Sequence, residues 1–120
     1  MAAIDAVYPL DLRRYTEKFL SCDPDPARDD SGRPTNVQRT DAQGRPVWRI
    51  HLMETAPGAL TSSFQQEVSY HGPEIVLPPM TPVELVSPVV RHWQTRDPRT
   101  GRVRSSGLAI AVDSVEPLEA

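Results

Sequence analysis

The sequence is poor in the residues that stabilise secreted scaffolds and membrane spans. Its 120 residues include one cysteine, Cys22, which cannot form an internal disulfide, so a reducing, cytoplasmic setting is the simplest expectation. No stretch approaches the roughly 20 apolar residues of a membrane span. The N-terminus has Asp5 where a signal peptide has basic residues, and no apolar run follows it. We therefore expect a cytoplasmic protein that does not cross a membrane.

Lysine is almost absent: the chain has one lysine, Lys18, and twelve arginines. A GC-rich genome also produces this bias, so it does not by itself indicate a need for guanidinium groups. The net charge of −3 makes the chain as a whole no obvious binder of polyanions. The charge is uneven, however: residues 35–112 carry +2, residues 1–34 carry −2 and the last eight carry −3. This mildly basic middle predicts weak, salt-sensitive binding of a polyanion.

Proline is abundant, and its thirteen copies argue against long helices. The clearest element lies at Asp41–Thr55, where the turn D-A-Q-G-R-P opens onto the strand V-W-R-I-H-L-M-E-T. Period-two alternation gives this strand one apolar face, Trp48, Ile50 and Leu52. The other face is mixed and includes Arg49. The pattern predicts a strand with the core on one side.

Turn signals divide the rest of the chain into short strands. Strands are predicted at Thr35–Thr40, Val47–Thr55, Phe64–His71, Val83–Thr95 and Val103–Val112. Pro88 interrupts the fourth, which predicts a bulge, a bend or an edge position. Gly107 permits a sharp bend in the fifth. Arg96–Arg102 has strong turn chemistry and predicts a hairpin loop, whereas the proline-rich segment 74–82 predicts an edge or a crossover loop.

Five strands and almost no helix predict an all-β protein, a small five-stranded OB-like barrel with an irregular N-terminal arm. A small sandwich or an open β-roll is the alternative. We divide the chain into an N-terminal arm and acidic linker (1–34), a β-barrel domain (35–112) and an acidic tail (113–120). Within the arm, Leu12–Leu20 has the spacing of a helical turn or two, or else packs its apolar side on the sheet.

The sequence lacks the motifs of common enzymes. There is no phosphate-binding loop, no G-x-G-x-x-G and no G-x-S-x-G, and the only thiol lies in the predicted linker. A zinc site would need several ligands that converge. His51, His71 and His92 could meet on adjacent strands, but nothing in their spacing requires it. We therefore predict no catalytic residues, no metal and no cofactor.

The strongest local signal is R-H-W-Q-T-R-D-P-R-T-G-R-V-R, residues 91–104, which contains five arginines and one acid, Asp97. Arginines bind phosphates, and bases stack on exposed aromatic rings. Other predicted strands add an aromatic or basic residue each. The predicted nucleic-acid-binding residues are Trp48, Arg49, Tyr70, Arg91, Trp93, Arg96, Arg99, Arg102 and Arg104. Either tryptophan could instead fill the core.

Two segments give the chain a resemblance to a known family. D-A-Q-G-R-P-V-W-R-I-H-L (Asp41–Leu52) and P-V-E-L-V-S-P-V-V (Pro82–Val90) resemble small regulatory proteins of actinobacterial plasmids and integrative elements, the replication, integration and excision activators. The similarity spans Thr35–Val112. It implies a DNA-associated accessory role in a mobile element, is compatible with an OB-like barrel, and brings no catalytic residues.

The residues and the resemblance support two functional hypotheses. The first is a non-enzymatic single-stranded DNA-binding accessory protein of a plasmid or mobile element, with a replication or recombination protein as a possible partner. The alternative is a regulatory adaptor without direct nucleic-acid contact, which would pair with itself or a partner through a strand edge near Val83–Val90. A homodimer is compatible with either. An enzyme would be a third class if the three histidines converged.

Overall fold

A computed structural model describes residues 6–12, 15–58 and 63–118 and arranges them in ten strands. The strands are β1 (Ala6–Pro9), β2 (Thr16–Pro24), β3 (Pro26–Arg28), β4 (Pro34–Gln38), β5 (Val47–Thr55), β6 (Ser63–His71), β7 (Pro82–Val86), β8 (Val89–Arg96), β9 (Val103–Val112) and β10 (Ser114–Pro117). These ranges contain no helix, and hence none that could cross a membrane. The all-β class is confirmed. The five-strand count is not, and neither is the OB-like description.

The strand order requires the large sheet to curl. The order is β1-β8-β9-β6-β5-β2-β7-β10, which separates β7 from β8 by five strand positions. A flat sheet would place them about 24 Å apart, because neighbouring strands are about 4.8 Å apart. Only Ser87 and Pro88 connect the two strands, and that link can reach at most about 11 Å. The sheet therefore curls into a half-barrel that brings its two ends together.

One long hairpin, bent in both of its strands, closes this curl. β7 and β8 are the halves of one bent strand, which turns at Ser87 (φ 51°) and Pro88. β9 and β10 are the halves of the other, which turns at Asp113. The interruption predicted at Pro88 is thus confirmed as a bend. β9 passes through Gly107 without a break, so the bend predicted there lies at Asp113 instead.

The core fills the concave face of the sheet. On β5, Ile50 and Leu52 are fully buried and Trp48 is 9% exposed, as the alternation predicts. The other buried members are Phe19, Val68, Tyr70, Val83, Val112 and Val115. These residues come from the six consecutive strands from β9 to β10 in the sheet order. Burial of their side chains against one another stabilises the curl.

The large sheet extends beyond the predicted barrel domain (35–112) at both ends. β2 lies between β5 and β7 inside the sheet and supplies Phe19 to the core, so residues 16–24 of the predicted arm and linker belong to the sheet. β3 and β4 form a two-stranded sheet of their own. β10 pairs with β7, so the acidic tail is also part of the sheet. The helical turn considered at Leu12–Leu20 does not form over residues 16–20, because the ladder hydrogen bonds of β2 bind this backbone to β5 and β7. Residues 13 and 14 lie outside the described residues.

The predicted turn before β5 is confirmed and is held by Asp41. Its Oδ1 atom accepts hydrogen bonds from the backbone N–H groups of Gln43 and Arg45, each 2.9 Å long. Its Oδ2 atom lies 2.7 Å from Arg45 Nε and 3.0 Å from His71 Nδ1. Although desolvation raises the pKa of Asp41, these hydrogen bonds outweigh it and hold the pKa well below its usual range. The Asp41 carboxylate that holds the turn is therefore ionised.

Gly72 ends β6 at a place that tolerates no side chain. Its φ is 147°, and an added Cβ would lie 2.7 Å from the buried Tyr70 hydroxyl. We expect Gly72→Ala to lower the free energy of unfolding by about 2 kcal/mol, measured by urea denaturation. Gly44→Ala is the matched control, because Gly44 also has a positive φ (79°) but open space around it. Equal losses in both variants would show that the contact with Tyr70 adds nothing.

Candidate nucleic-acid interface

The arginine-rich segment forms a two-stranded ribbon that extends beyond the sheet. β8 pairs with β1 only over Val89–His92, and β9 pairs with β6 only over Ile110–Val112. Among the described residues, the stretch 93–107 pairs only with itself. We call residues 93–107 the β8–β9 ribbon. Its projection fits the elongated outline of the molecule, 53 × 29 × 23 Å.

The tip of the ribbon is a turn that is held together by its one carboxylate, Asp97. Asp97 Oδ1 accepts a 2.7 Å hydrogen bond from the backbone N–H of Arg99. The Asp97 backbone N–H donates to the Arg102 carbonyl, and the Gly101 N–H donates to the Asp97 carbonyl, both at 2.8 Å. Arg96 Nη1 also donates to the Gly101 carbonyl at 2.7 Å. Asp97 therefore shapes the turn and forms no ion pair with the arginines around it.

The arginines of this region keep their charge exposed. In the part of the chain that the structure describes, none of the five has a carboxylate within 4 Å, although other surface arginines do. The five exposed residues are Arg91, Arg96, Arg99, Arg102 and Arg104. Together with Asp97 they give the segment a net charge of +4. The predicted basic hairpin is thus an exposed, positively charged segment, with Arg91 and Arg96 on opposite faces of β8.

Trp93 lies at the base of the ribbon. Arg91, two residues earlier on β8, lies on the same face. Trp93 sits opposite Gly107, and a Cβ on that glycine would lie only 2.8 Å from Trp93 Cζ2 and 3.0 Å from Cε2. The missing side chain lets the indole ring rest directly on the strand. Trp93 is half-buried, so part of the ring remains accessible. An aromatic ring in this position can serve as a platform for a nucleobase.

Trp48 and Tyr70 are placed differently from the prediction. They lie opposite each other on β5 and β6 and belong to the core, with exposures of 9% and 7%. Trp48 Nε1 donates a 2.8 Å hydrogen bond to the Gly72 carbonyl. Neither ring offers a free face to a base. We therefore do not include Trp48 and Tyr70 among the residues of the proposed site.

Arg49 lies on the outer face of β5 and shares one aspartate, Asp25, with Arg39. Its Nε atom is 3.7 Å from Asp25 Oδ1, and Arg39 Nε binds the other oxygen of Asp25 at 2.8 Å. On the same face, His51 Nε2 lies 3.3 Å from Asp23. On this face an aspartate therefore lies within 4 Å of each of these three side chains, although Asp25 serves two arginines. Arg49 is separate from the basic surface on the ribbon.

The three histidines do not converge. His51 and His71 alternate onto the outer face of the sheet, whereas His92 has the register of the concave face. Within the described ranges, no three His, Cys, Asp or Glu side chains are grouped so that they could hold a metal ion.

The strand edge predicted for the adaptor hypothesis is covered only in part. β8 pairs with β1 and β9 at Val89 and Val90. β7 pairs with β10 over Val83–Val86 but with β2 only at Pro82 and Val83. Among the described residues, the backbone of residues 84–86 therefore has a ladder partner on one side only, and the sheet order ends at β1 and β10, each four residues long.

The sequence analysis missed one chemical group, a pair of buried carboxyls. Glu17 on β2 and Glu54 on β5 are directly opposite each other, and each is 3% exposed. A signal existed, because Glu54 continues the inward series of Trp48, Ile50 and Leu52 by one more step of two.

Comparison with known proteins adds no relative: no family model matches the chain, and neither the curated proteins nor the solved structures include a match.

Proposed function

We propose that the protein is a non-enzymatic accessory protein that binds single-stranded DNA along the β8–β9 ribbon. The observation that carries this proposal is the unpaired basic surface formed by Arg91 and the four arginines from Arg96 to Arg104. Elsewhere on the described surface Arg45 pairs with Asp41, and Arg39 and Arg49 share Asp25. Phosphates would replace the counterions that surround the ribbon, and the release of those counterions favours binding.

Trp93 is the reason to favour a single strand. Stacking on an aromatic ring contributes about 1–3 kcal/mol per base and requires an unpaired base. Trp93 lies beside Arg91 on the same face, which lets one nucleotide place its base on the ring and its phosphate on the guanidinium. A two-stranded ribbon can also enter the major groove of a duplex, so duplex DNA is the comparison ligand.

The resemblance to regulatory proteins of actinobacterial plasmids and integrative elements supports a role in a plasmid or another mobile element. An accessory protein there would act beside a replication or recombination protein. The adaptor alternative keeps only a short unpaired edge at residues 84–86, so it becomes an outcome of the binding test and not a second proposal.

The test is a titration with fluorescent oligo-dT at 0.05 M and 0.3 M salt, repeated with a duplex of equal length. We expect salt-sensitive binding that quenches tryptophan emission and is tighter for the single strand. Trp93→Ala should weaken binding about 10-fold and remove the quenching, since buried Trp48 remains out of reach. Tighter duplex binding would move the proposal to groove recognition. No binding at 0.05 M salt would overturn it, and a dimer that ignores DNA would favour the adaptor.

A further inference from the structure

One side of β9 has no ladder partner over most of its length. β9 pairs with β8 from Val103 to Ala111, but on its other side it pairs with β6 only over Ile110–Val112. Among the described residues, the backbone of residues 103–109 therefore has an open edge, which is about 23 Å long at 3.3 Å per residue. Such an edge presents unpaired N–H and C=O groups with which another extended chain can pair.

β6 is unpaired on the facing side, so the opening lies between two strands. β6 runs parallel to β9 but does not pair with it over Ser63–Glu67. A cleft of about 750 Å³ lies here, and its lining includes Phe64 and Glu67 of β6 and Leu108 and Ala109 of β9. Because successive residues of a strand point to opposite faces, the cleft is open to both faces of the sheet. A chain in this cleft would therefore reach the backbone edge of β9.

The two sides of this opening differ in charge. On β8, the exposed Arg91 lies directly opposite Ala109, whose small side chain lets the guanidinium reach across β9 toward the open edge. Arg102 and Arg104 are exposed at the other end of the edge. The β6 side carries Glu67 and no basic residue over 63–67. A negatively charged strand is thus attracted to β9 and repelled by β6.

The same charge argues against a second copy of this chain at the edge. Pairing of β9 with β9 of another copy would bring together two segments that each carry a net charge of +4 over residues 91–104. Like charges across a strand pair are destabilising. The charge of the edge therefore selects an acidic partner over a homodimer.

Apolar side chains lie on the concave face beside the edge. Leu108 has the inward register of the buried Val112 but is 71% exposed. Phe64, on the β6 side of the cleft, has the inward register of Val68 and is 44% exposed. An apolar residue on a strand placed here would cover part of both, which would add to the ladder hydrogen bonds.

We propose that the open edge of β9 binds an extended segment of a partner protein in which acidic and apolar residues alternate. The segment adds to the sheet as a strand, and ladder hydrogen bonds to residues 103–109 hold its backbone. Its apolar side chains face the concave side and cover Leu108 and Phe64. Its acidic side chains face outward, where Arg91 reaches them across Ala109. The proposal does not rest on nucleic-acid binding, because its main contact is the backbone of β9.

Three capped seven-residue peptides test the proposal by fluorescence polarisation. The first alternates glutamate and valine, the second glutamate and proline, and the third glutamine and valine. The proline peptide keeps the charge but cannot form a ladder, and the glutamine peptide can form the ladder without the charge. We expect both to bind at least about 10-fold more weakly than the first, the effect of losing two ladder hydrogen bonds or one hydrogen bond to a charged group.

The peptide comparison has clear contrary outcomes. Equal affinity of the proline peptide would reduce the contact to charge alone and overturn the added strand. Equal affinity of the glutamine peptide would overturn the acidic partner. No binding of the first peptide would overturn the whole proposal.

Hydrogen exchange locates the contact. At a peptide concentration of ten times Kd, amides covered by the added strand should exchange about 10-fold more slowly, because only the unbound fraction is open. We expect this slowing within residues 103–109 and none in the β3–β4 hairpin. Binding without protection of 103–109 would overturn the assignment. Protection of the same amides that rises with protein concentration, in the absence of peptide, would replace the acidic partner by a second copy.

Leu108→Ser and Val76→Ser form a matched pair of variants, since both side chains are more than two-thirds exposed and neither belongs to the core. Val76 lies outside the strands and does not line the cleft. We expect Leu108→Ser to weaken binding of the first peptide about fivefold, because an apolar contact is lost. Val76→Ser should change it less than about twofold. Equal effects of the two variants would show that the peptide does not cover Leu108, and would overturn its placement at this edge.

Discussion

Replacement of Arg99, Arg102 and Arg104 by glutamine is expected to weaken single-stranded DNA binding about 100-fold at 0.1 M salt. Each phosphate contact with a single strand contributes about 0.7 to the slope of log K against log salt, so three lost contacts lower the slope by about 2. The turn should survive, because Arg99 and Arg102 support it through backbone groups and not through their side chains. Arg96 is kept, since its guanidinium binds the Gly101 carbonyl. Titrations at four salt concentrations measure both the affinity and the slope.

The matched control removes the same charge from another part of the protein. Arg28 and Arg33 lie in the β3–β4 hairpin, which is a separate small sheet, and Lys18 lies on β2. We expect the triple glutamine variant at these positions to bind nearly as tightly as the wild type. Equal losses in the two triple variants would show that net charge alone drives binding. An unchanged slope in the ribbon variant would exclude the ribbon as the phosphate contact.

Local pattern was sufficient to predict β5 and the ribbon hairpin. From Trp48 onward β5 alternates in burial, and both of its neighbours pair along it, so its inward residues are the ones the alternation selects. The ribbon pairs with its neighbour in sequence, and Asp97 and Gly101 form the turn that their residue types favour. In both cases the interactions that decide the structure lie close together in the chain.

β2 could not be predicted in the same way. Its second half, ending at Asp23 and Pro24, has the polar, proline-containing composition of a loop. It forms a strand because β5 supplies the ladder partners and the core accepts Phe19, with a bulge between Phe19 and Ser21 that adjusts the register. The parallel pairing of β6 with β9 joins residues far apart in the chain and has no local signal either.

The sequence was sufficient to predict the arginines of the candidate site. It was not sufficient to predict which aromatic residues are exposed there. Arg96 to Arg104 cluster in sequence and therefore in space. Which tryptophan is exposed depends on the neighbours of its strand: Trp48 lies on a strand paired on both sides, whereas Trp93 lies where β1 and β6 no longer accompany the hairpin. That difference arises from sheet topology, which neither local sequence contains.

Glu17→Gln is expected to stabilise the protein by roughly 2–3 kcal/mol at pH 7, which corresponds to a rise in Tm on the order of 10 °C. Folding raises the pKa of Glu17 from 4.5 to about 9, so the folded state holds a proton that the unfolded state releases. The stability that this proton provides is complete below pH 4.5 and is lost as the pH rises toward 9. The wild type should therefore lose stability across this range, whereas the amide, which needs no proton, should not.

Urea denaturation of both proteins between about pH 5 and pH 9 isolates this effect, because every other titrating group is common to the two. The lower limit avoids the acid range, where protonation of Asp41 would itself destabilise the turn before β5. Glu74→Gln is the matched control: Glu74 is exposed and outside the strands, and its loss of charge should change the free energy of unfolding by less than about 0.5 kcal/mol. Parallel stability curves for the wild type and Glu17→Gln would mean that the buried carboxyl is compensated in the folded protein. A difference that widens with pH would establish that the carboxyl pair formed by β2 and β5 holds a proton in the folded protein.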